Sequence, residues 1–333
     1  MSLSLDVVTE RYEIAGGFRI ARGARTHAEV VVATLSEGRL KGRGECLPYA
    51  RYDESLDSVT EQILDMAGAL AGGLDREGLR RAMPAGAARN ALDCALWDLE
   101  AKRAGARVWE LAGLPAPRST PTAFTLGIDT PDLMRAKAAA NAHRPLLKVK
   151  LGGPADDGGA GDLARLRAVR EGAPQATIIV DANEGWRLAD YQRLAPEMTA
   201  LGVAMVEQPL PAGDDDALEG VDRPLPVCAD EACHDRETLP ALTGRYDMIN
   251  IKLDKTGGLT EALALRDEAR AMGFQVMVGC MLATSLAMAP ALIVAQGAEI
   301  VDLDGPLLLS KDREHGLVYD EHGAHAPSAK LWG

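Results

Sequence analysis

The run LLKVKL at 146–151 decides the fold together with those that follow it: TIIVDAN (177–183), VAMVEQP (203–209), LPVCADE (225–231), MINIKLD (248–254), QVMVGC (275–280) and EIVDLD (299–304). Each is a short, nearly continuous stretch of Val, Ile, Leu and Met, and helix-like segments such as 160–171, 188–201 and 259–272 lie between them. Strands that are apolar on both faces, each followed by a helix, read as a parallel sheet covered on both sides. Seven or eight such units predict a closed (β/α) barrel. An open doubly wound sheet is the alternative, but no glycine-rich turn of the dinucleotide-binding pattern follows any strand.

Run after run ends in an ionisable residue: Lys148 and Lys150, Asp181, Glu207, Asp230, Lys252, then Asp302 and Asp304. From Asp181 the steps to Glu207, Asp230 and Lys252 are 26, 23 and 22 residues, one βα unit each. In a barrel the carboxyl ends of all strands meet at one face, so these groups converge on a single mouth. One such Asp would be an ordinary helix N-cap; three successive carboxylates flanked by lysines are not accounted for that way. Asp181, Glu207 and Asp230 are hard oxygen donors with no thiolate or imidazole among them, a set that suits Mg²⁺. Lys148 and Lys150, two apart on one strand, face the same side, and Lys252 faces them across the mouth. Two bases flanking one carbon is the geometry that inverts a stereocentre. A proton beside a carboxylate leaves a dianion when removed, which Mg²⁺ on the carboxylate oxygens would stabilise. Neighbouring cations are expected to lower the lysine pKa values from their usual 10.4 or so toward neutrality.

Outward from the barrel, residues 29–35 (EVVVATL) and 39–45 form a predicted hairpin through 36–38, followed by helical patterns over 55–71 and 87–103. The expected organisation is an α+β domain over 1–118, completed by about 310–333, beside a barrel over 119–309. The formal net charge of −13 disfavours nucleic acid and anionic lipid as partners. The N-terminal MSLSLDVVTERYEI lacks the basic and apolar regions of a signal peptide, and no apolar run has membrane-spanning length. A cytoplasmic protein is expected. Five scattered cysteines suit reduced thiols. Cys228, Cys233 and His234 cluster, but without the second ligand pair of a zinc site.

At this point the chain resembles the muconate-lactonising subgroup of the enolase superfamily. The likeness is carried by Lys148-Val-Lys150, Val-Asp181-Ala-Asn183, Glu207-Gln-Pro, Ala-Asp230-Glu231 and Asn250-Ile-Lys252 followed by Gly257-Gly258, in that order, with Trp97 in a matching segment of the first domain. The resemblance implies a modified (β/α)₇β TIM-type barrel under an N-terminal α+β capping domain completed by the C-terminal tail. Within the subgroup the chain is most similar to dipeptide epimerases acting on Ala-Glu peptides in murein recycling, through residues 44–52, 279–285 and Asp302-Leu-Asp304-Gly-Pro. This implies conversion of L-Ala-D-Glu to L-Ala-L-Glu, with Lys150 as base for the L isomer and Lys252 for the D isomer. Lys148 would assist Lys150 and touch the substrate carboxylate, and Asp302 and Asp304 would hold the free ammonium. Asn183 is a further substrate-binding candidate, and Glu231 would support the metal carboxylates. Arg19, Arg22 and Arg25 are candidates to grip the glutamate side chain, with Arg25 preferred. Arg51 and Tyr52 lie in a second capping loop expected to close over the ligand. Many subgroup members carry a glutamate where this chain has Ala283. Relatives often assemble, so a homo-oligomer is within expectation. The alternatives are another reaction from the same intermediate (N-acylamino-acid racemisation, o-succinylbenzoate synthesis, cycloisomerisation) and a non-catalytic barrel. The glycine-rich stretch 152–161 is expected to be a loop and receives no role.

Overall fold

The computed structural model describes residues 3–153 and 159–333. Eight parallel strands follow one another round the sheet in sequence order: β4 (Phe124–Leu126), β5 (Leu146–Lys150), β6 (Thr177–Asp181), β7 (Val203–Glu207), β8 (Val227–Ala229), β9 (Met248–Ile251), β10 (Gln275–Gly279) and β11 (Ile300–Asp302). The first and last strands meet through Ala123 N donating to Val301 O (2.8 Å) and Leu303 N donating to Thr122 Oγ1 (2.7 Å), so the sheet curls into a barrel. The seven quoted runs are all strands. The three-residue β4 was not among them, being too short to show a periodicity.

The two-residue alternation of a strand explains why an apolar run can end in charge. Ile179, Met205, Cys228, Met248 and Met277 pack as a buried plug inside the barrel. Two residues further on, each strand reaches its next inward position: Asp181, Glu207, Asp230, Asn250 and Gly279. Strand register aligns Lys150 with Asp181 and Asp181 with Glu207. The alternate residues, among them Val180, Val206, Ala229, Ile251 and Val278, join the larger core under the outer helices. The plug is thus the floor on which the polar layer rests.

Ahead of the barrel, β1 (Ser4–Ile20), β2 (Gly23–Glu37) and β3 (Leu40–Cys46) form an antiparallel sheet. The sequence reading contained no strand before residue 29. The long edge strand β1 alternates between exposed and half-buried positions, so it needs no continuous apolar run. Helices α1 (Leu56–Asp65), α2 (Ala67–Ala71), α3 (Arg76–Ala82) and α4 (Ala87–Ala104) follow, the expected 55–71 helix being broken at Met66. α4 is buried almost throughout, wedged between this sheet and the barrel. The C-terminus returns to it: Trp332 Nε1 donates to Cys94 O (3.1 Å) and Gly333 N to Asp98 Oδ1 (2.8 Å). In the stretch 152–161, residues 154–158 lie outside the described residues, and a helix begins at Ala160.

β3 lies so close to α4 that only hydrogen fits between them. A Cβ on Gly44 would meet the Ala91 carbonyl well inside van der Waals contact and Ala95 N at 2.8 Å. Gly44→Ala is therefore expected to cost about 3 kcal/mol, as over-packing does when backbone must shift, measured by denaturant unfolding. A loss below about 1 kcal/mol would contradict this close approach.

One joint between cap and barrel is a buried acid. Asp254, just after β9, accepts hydrogen bonds at Oδ1 from Leu47 N (3.2 Å) and Asn90 Nδ2 (2.8 Å). Burial, then the nearby Glu54 and Glu45 charges, push its carboxyl up to about 7 against those hydrogen bonds. The folded protein therefore keeps a proton that the unfolded chain releases near pH 4, and stability falls as pH rises from about 4 to about 7. Asp254→Asn keeps the Oδ1 acceptor and abolishes the titration. It should match wild type near pH 4 and exceed it by a few kcal/mol (about 1.4 per pKa unit) at pH 8 in parallel thermal melts. A variant less stable than wild type at pH 8 would refute the assignment.

Candidate active site

Among the described residues, Asp181, Glu207 and Asp230 each present a carboxylate oxygen, all within 4.8 Å of one another and all buried. No other histidine, cysteine or acid cluster there has metal-ligand spacing. Lysines surround the three. Lys148 Nζ pairs with Glu207 Oε2 (2.6 Å), Asp302 Oδ2 (2.8 Å) and Asp181 Oδ2 (3.2 Å). Lys150 Nζ lies 2.6 Å from Asp181 Oδ2, and Lys252 Nζ 2.6 Å from Asp230 Oδ2. β5 and β9 are four strands apart in an eight-stranded barrel, so Lys150 and Lys252 approach the cluster from opposite sides.

These pairs set the ionisation of the site. Burial alone would raise Asp181 and Asp230, but Lys150 with Lys148, and Lys252 with Lys255, outweigh it and hold both below the usual carboxylate range. Glu207 goes the other way, to about 7, because burial and the Asp181 charge exceed the help from Lys148. Burial pulls Lys252 down, yet Asp230 and Glu207 more than compensate and hold it above the ordinary lysine value. The lowered value expected from the sequence counts Mg²⁺ among the neighbouring cations; the protein charges nearest Lys252 are anions. Lowering it requires a divalent cation on those same carboxylates.

The other expected residues also gather at the mouth. Asp302, Asp304, Asn183, Glu231, Arg25 and Tyr52 line one cavity with Lys148, Lys150 and Lys252, of about 810 Å³ including its open side. Asp304 accepts from Thr125 N at 2.6 Å, and burial plus Asp302 push it up to about 7. Asn183 Oδ1 and Glu231 Oε2 are buried without a hydrogen-bond partner among the described residues, as suits atoms facing a ligand. Arg25 is exposed, its guanidinium 5.5 Å above the Tyr49 ring. Arg22 is instead committed to Glu231 Oε1 (2.6 Å) and Glu184 Oε2 (3.2 Å), while Arg19 lies outside the cavity. Lys148 lines the cavity while paired with three protein carboxylates.

Three supporting residues received no role in the sequence reading. Lys255 Nζ, fully buried, donates to Asp230 Oδ1 (2.7 Å), to Asp230 O and to Asn250 O (3.0 Å). Asn250 Nδ2 donates to Glu207 Oε1 (2.7 Å). Gln208, at φ 35°, accepts from Asp230 N (2.9 Å) and Ala232 N (3.1 Å), fixing the turn that carries Asp230. A second lysine three residues after Lys252, in the short turn Leu253–Thr256, was the available signal.

The model of the enolase C-terminal domain-like family matches residues 133–328, and that of the mandelate racemase / muconate lactonizing enzyme N-terminal domain matches residues 2–113. The chain belongs to the mandelate racemase / muconate lactonizing enzyme family. Over 324 residues it is 50% identical to the L-Ala-D/L-Glu epimerase of Escherichia coli (strain K12), covering 97% of this chain and 99% of that one. It is 45% identical over 306 residues to an N-acetyl-D-glutamate racemase of a Pseudoalteromonas species, covering 91% and 95%. An enolase family member from Agrobacterium tumefaciens, with homology to dipeptide epimerases and bound to sodium and L-Ala-L-Glu, superposes with a TM-score of 0.95 at 52% identity, covering 99% and 100%. A dipeptide epimerase from Enterococcus faecalis complexed with Mg and L-Leu-L-Tyr superposes at 0.89 with 27% identity, covering the whole of both chains. This family member is an isomerase of the racemase and epimerase kind, and two of the dipeptide epimerases it resembles are complexed with Mg²⁺. Its buried all-oxygen donor set fits that ion. No helix of the described residues is long and apolar enough to cross a membrane.

Proposed function

We propose that this enzyme interconverts L-Ala-D-Glu and L-Ala-L-Glu by moving the glutamate α-proton between two lysines. The observation that carries the reading is the placement of Lys150 and Lys252 on opposite walls of a carboxylate-lined mouth. Lys150 takes the proton from the L isomer while Lys252 returns one to the other face, and the roles reverse for the D isomer. Asp181, Glu207 and Asp230 hold Mg²⁺, which supplies stabilisation for the negative charge that develops on the substrate carboxylate. Lys148 spreads positive charge beneath the three acids, and Lys255 and Asn250 fix Asp230 and Glu207. Asp302 and Asp304 receive the dipeptide ammonium, Arg25 is positioned at the rim for the glutamate side chain, and Tyr52 closes the second capping loop. The setting is murein peptide recycling, as the sequence resemblance implies.

The relative acting on N-acetyl-D-glutamate favours a second reading, racemisation of N-acylated glutamate. The two readings differ in one group: an acylated substrate brings no cation to Asp302 and Asp304. In D₂O with Mg²⁺, L-Ala-L-Glu should lose its glutamate α-proton signal and yield the diastereomer by NMR. N-acetyl-glutamate should be a poor substrate. Asp304→Asn should raise KM for the dipeptide about tenfold or more, the size of a lost charge-assisted hydrogen bond. Faster turnover of N-acetyl-glutamate would transfer the assignment to the second reading.

A further inference from the structure

Two loops of the capping domain come down on the barrel at a single side chain that takes no part in the scheme above. Glu184 follows β6 and Asn183, and its carboxylate is fully engaged. Arg51 donates through Nε to Oε2 and through Nη2 to Oε1, both at 2.8 Å. Arg22 Nη1 reaches Oε2 at 3.2 Å, and Ala212 N reaches Oε1 at 2.8 Å. Arg22 is the tip of the β1–β2 hairpin, and Arg51 sits in the short turn Ala50–Tyr52. The other Nη of Arg22 bonds Glu231 (2.6 Å) and Tyr49 Oη (3.0 Å), tying the two loops to each other.

The hairpin has the parts of a hinge. Its root is fixed where Ser310 N donates to Glu13 O (2.8 Å) and buried Ile14 bridges Leu309. Beyond it the β1–β2 register breaks between Glu13 and Phe18, and Gly16 and Gly17 there have φ 71° and 73°. Nothing lies within 4 Å of a Cβ built on Gly16, so this bulge has room to change shape. The segment beyond the break carries Phe18, Ile20, Arg22 and Arg25 into the cavity wall. Asn183 and Glu184 are consecutive non-glycine residues at φ 47° and 65°, a conformation retained where surrounding contacts impose it. Arg51 remains 37% exposed, so water and salt can compete for the contact.

We propose that Glu184 is the latch of this site: a positioning residue that holds both capping loops shut over the cavity through Arg51 and Arg22, and whose release lets the hairpin swing at Gly16-Gly17. The inference rests on the proposed function for what the cavity encloses, and on geometry alone for the latch. The test is hydrogen–deuterium exchange on the full chain, with kinetics alongside. In Glu184→Gln the amides of 18–26 and 49–53 should exchange about tenfold faster, with barrel strands unchanged, as expected for lost charged hydrogen bonds. KM for L-Ala-L-Glu should rise about tenfold with kcat within about twofold, and added salt should raise wild-type KM more than that of the variant. Glu184→Gly, which favours the left-handed backbone, should behave the same way, whereas a purely backbone role would leave the loops closed. If Glu184→Gln fails to fold, Arg51→Gln carries the same expectations from the exposed side. Wild-type exchange of both loops in the variants, or a fall in kcat at unchanged KM, overturns the latch. Absence of dipeptide turnover in wild type would instead overturn the proposed function, and the exchange measurement would still decide the latch.

Discussion

Replacing Lys150 or Lys252 with alanine is expected to stop epimerisation, lowering kcat/KM by about 10³-fold or more, in the range of a lost general acid or base. The variants should still fold. Without Lys150, Asp181 keeps Lys148 at 3.2 Å; without Lys252, Asp230 keeps Lys255 at 2.7 Å, so neither truncation leaves a buried carboxylate unpaired. That arrangement separates chemistry from stability and allows a sharper outcome than inactivity. In D₂O, Lys252→Ala should still exchange the α-proton of L-Ala-L-Glu without inverting it, because Lys150 can remove and return a proton on one face. Lys150→Ala should do the same with L-Ala-D-Glu only. Free interconversion of the isomers by either variant would remove the two-base scheme.

The second large effect concerns the metal. Stripping the protein with a chelator should abolish activity, and Mg²⁺ should restore it. Asp181→Asn should weaken Mg²⁺ binding, read by titration calorimetry, beyond the 10–100-fold typical of losing a residue that merely supports a ligand. The same change removes the anion nearest Lys150 and shortens the list of partners of Lys148 from three carboxylates to two. Activity should therefore fall by about 10³-fold or more even at saturating Mg²⁺. Undiminished turnover in the chelated protein would mean that the three acids serve only to neutralise the lysines.

Much of this site was legible because its residues obey a local rule. In a strand whose inward positions are apolar, an inward ionisable residue has no structural excuse, and the steps of 26, 23 and 22 residues from Asp181 to Lys252 repeat that anomaly once per βα unit. The structure adds the reason the three acids share one level: Asp181, Glu207 and Asp230 each stand two residues above the plug of Ile179, Met205 and Cys228, while Lys252 stands two residues further out than Asn250 on β9. Strand β1 was not legible, since an edge strand half open to solvent carries no run of apolar residues. Lys255 was passed over because its partners, Asp230 and Asn250, meet it only once the turn after β9 is folded.

The sequence by itself determined the barrel and the layer of acids and lysines at its mouth, because both follow from periodicity and spacing within neighbouring segments, while the family was legible through the resemblance of its motifs. Only the tertiary structure decided which of Arg22 and Arg25 the barrel engages. Arg22 and Arg25 are equivalent as sequence, three residues apart on one hairpin, yet Arg22 is held by Glu231 and Glu184 from the barrel while Arg25 faces the cavity. Those partners lie more than 160 residues away in the chain, and no local pattern encodes which of two guanidinium groups a distant loop will reach.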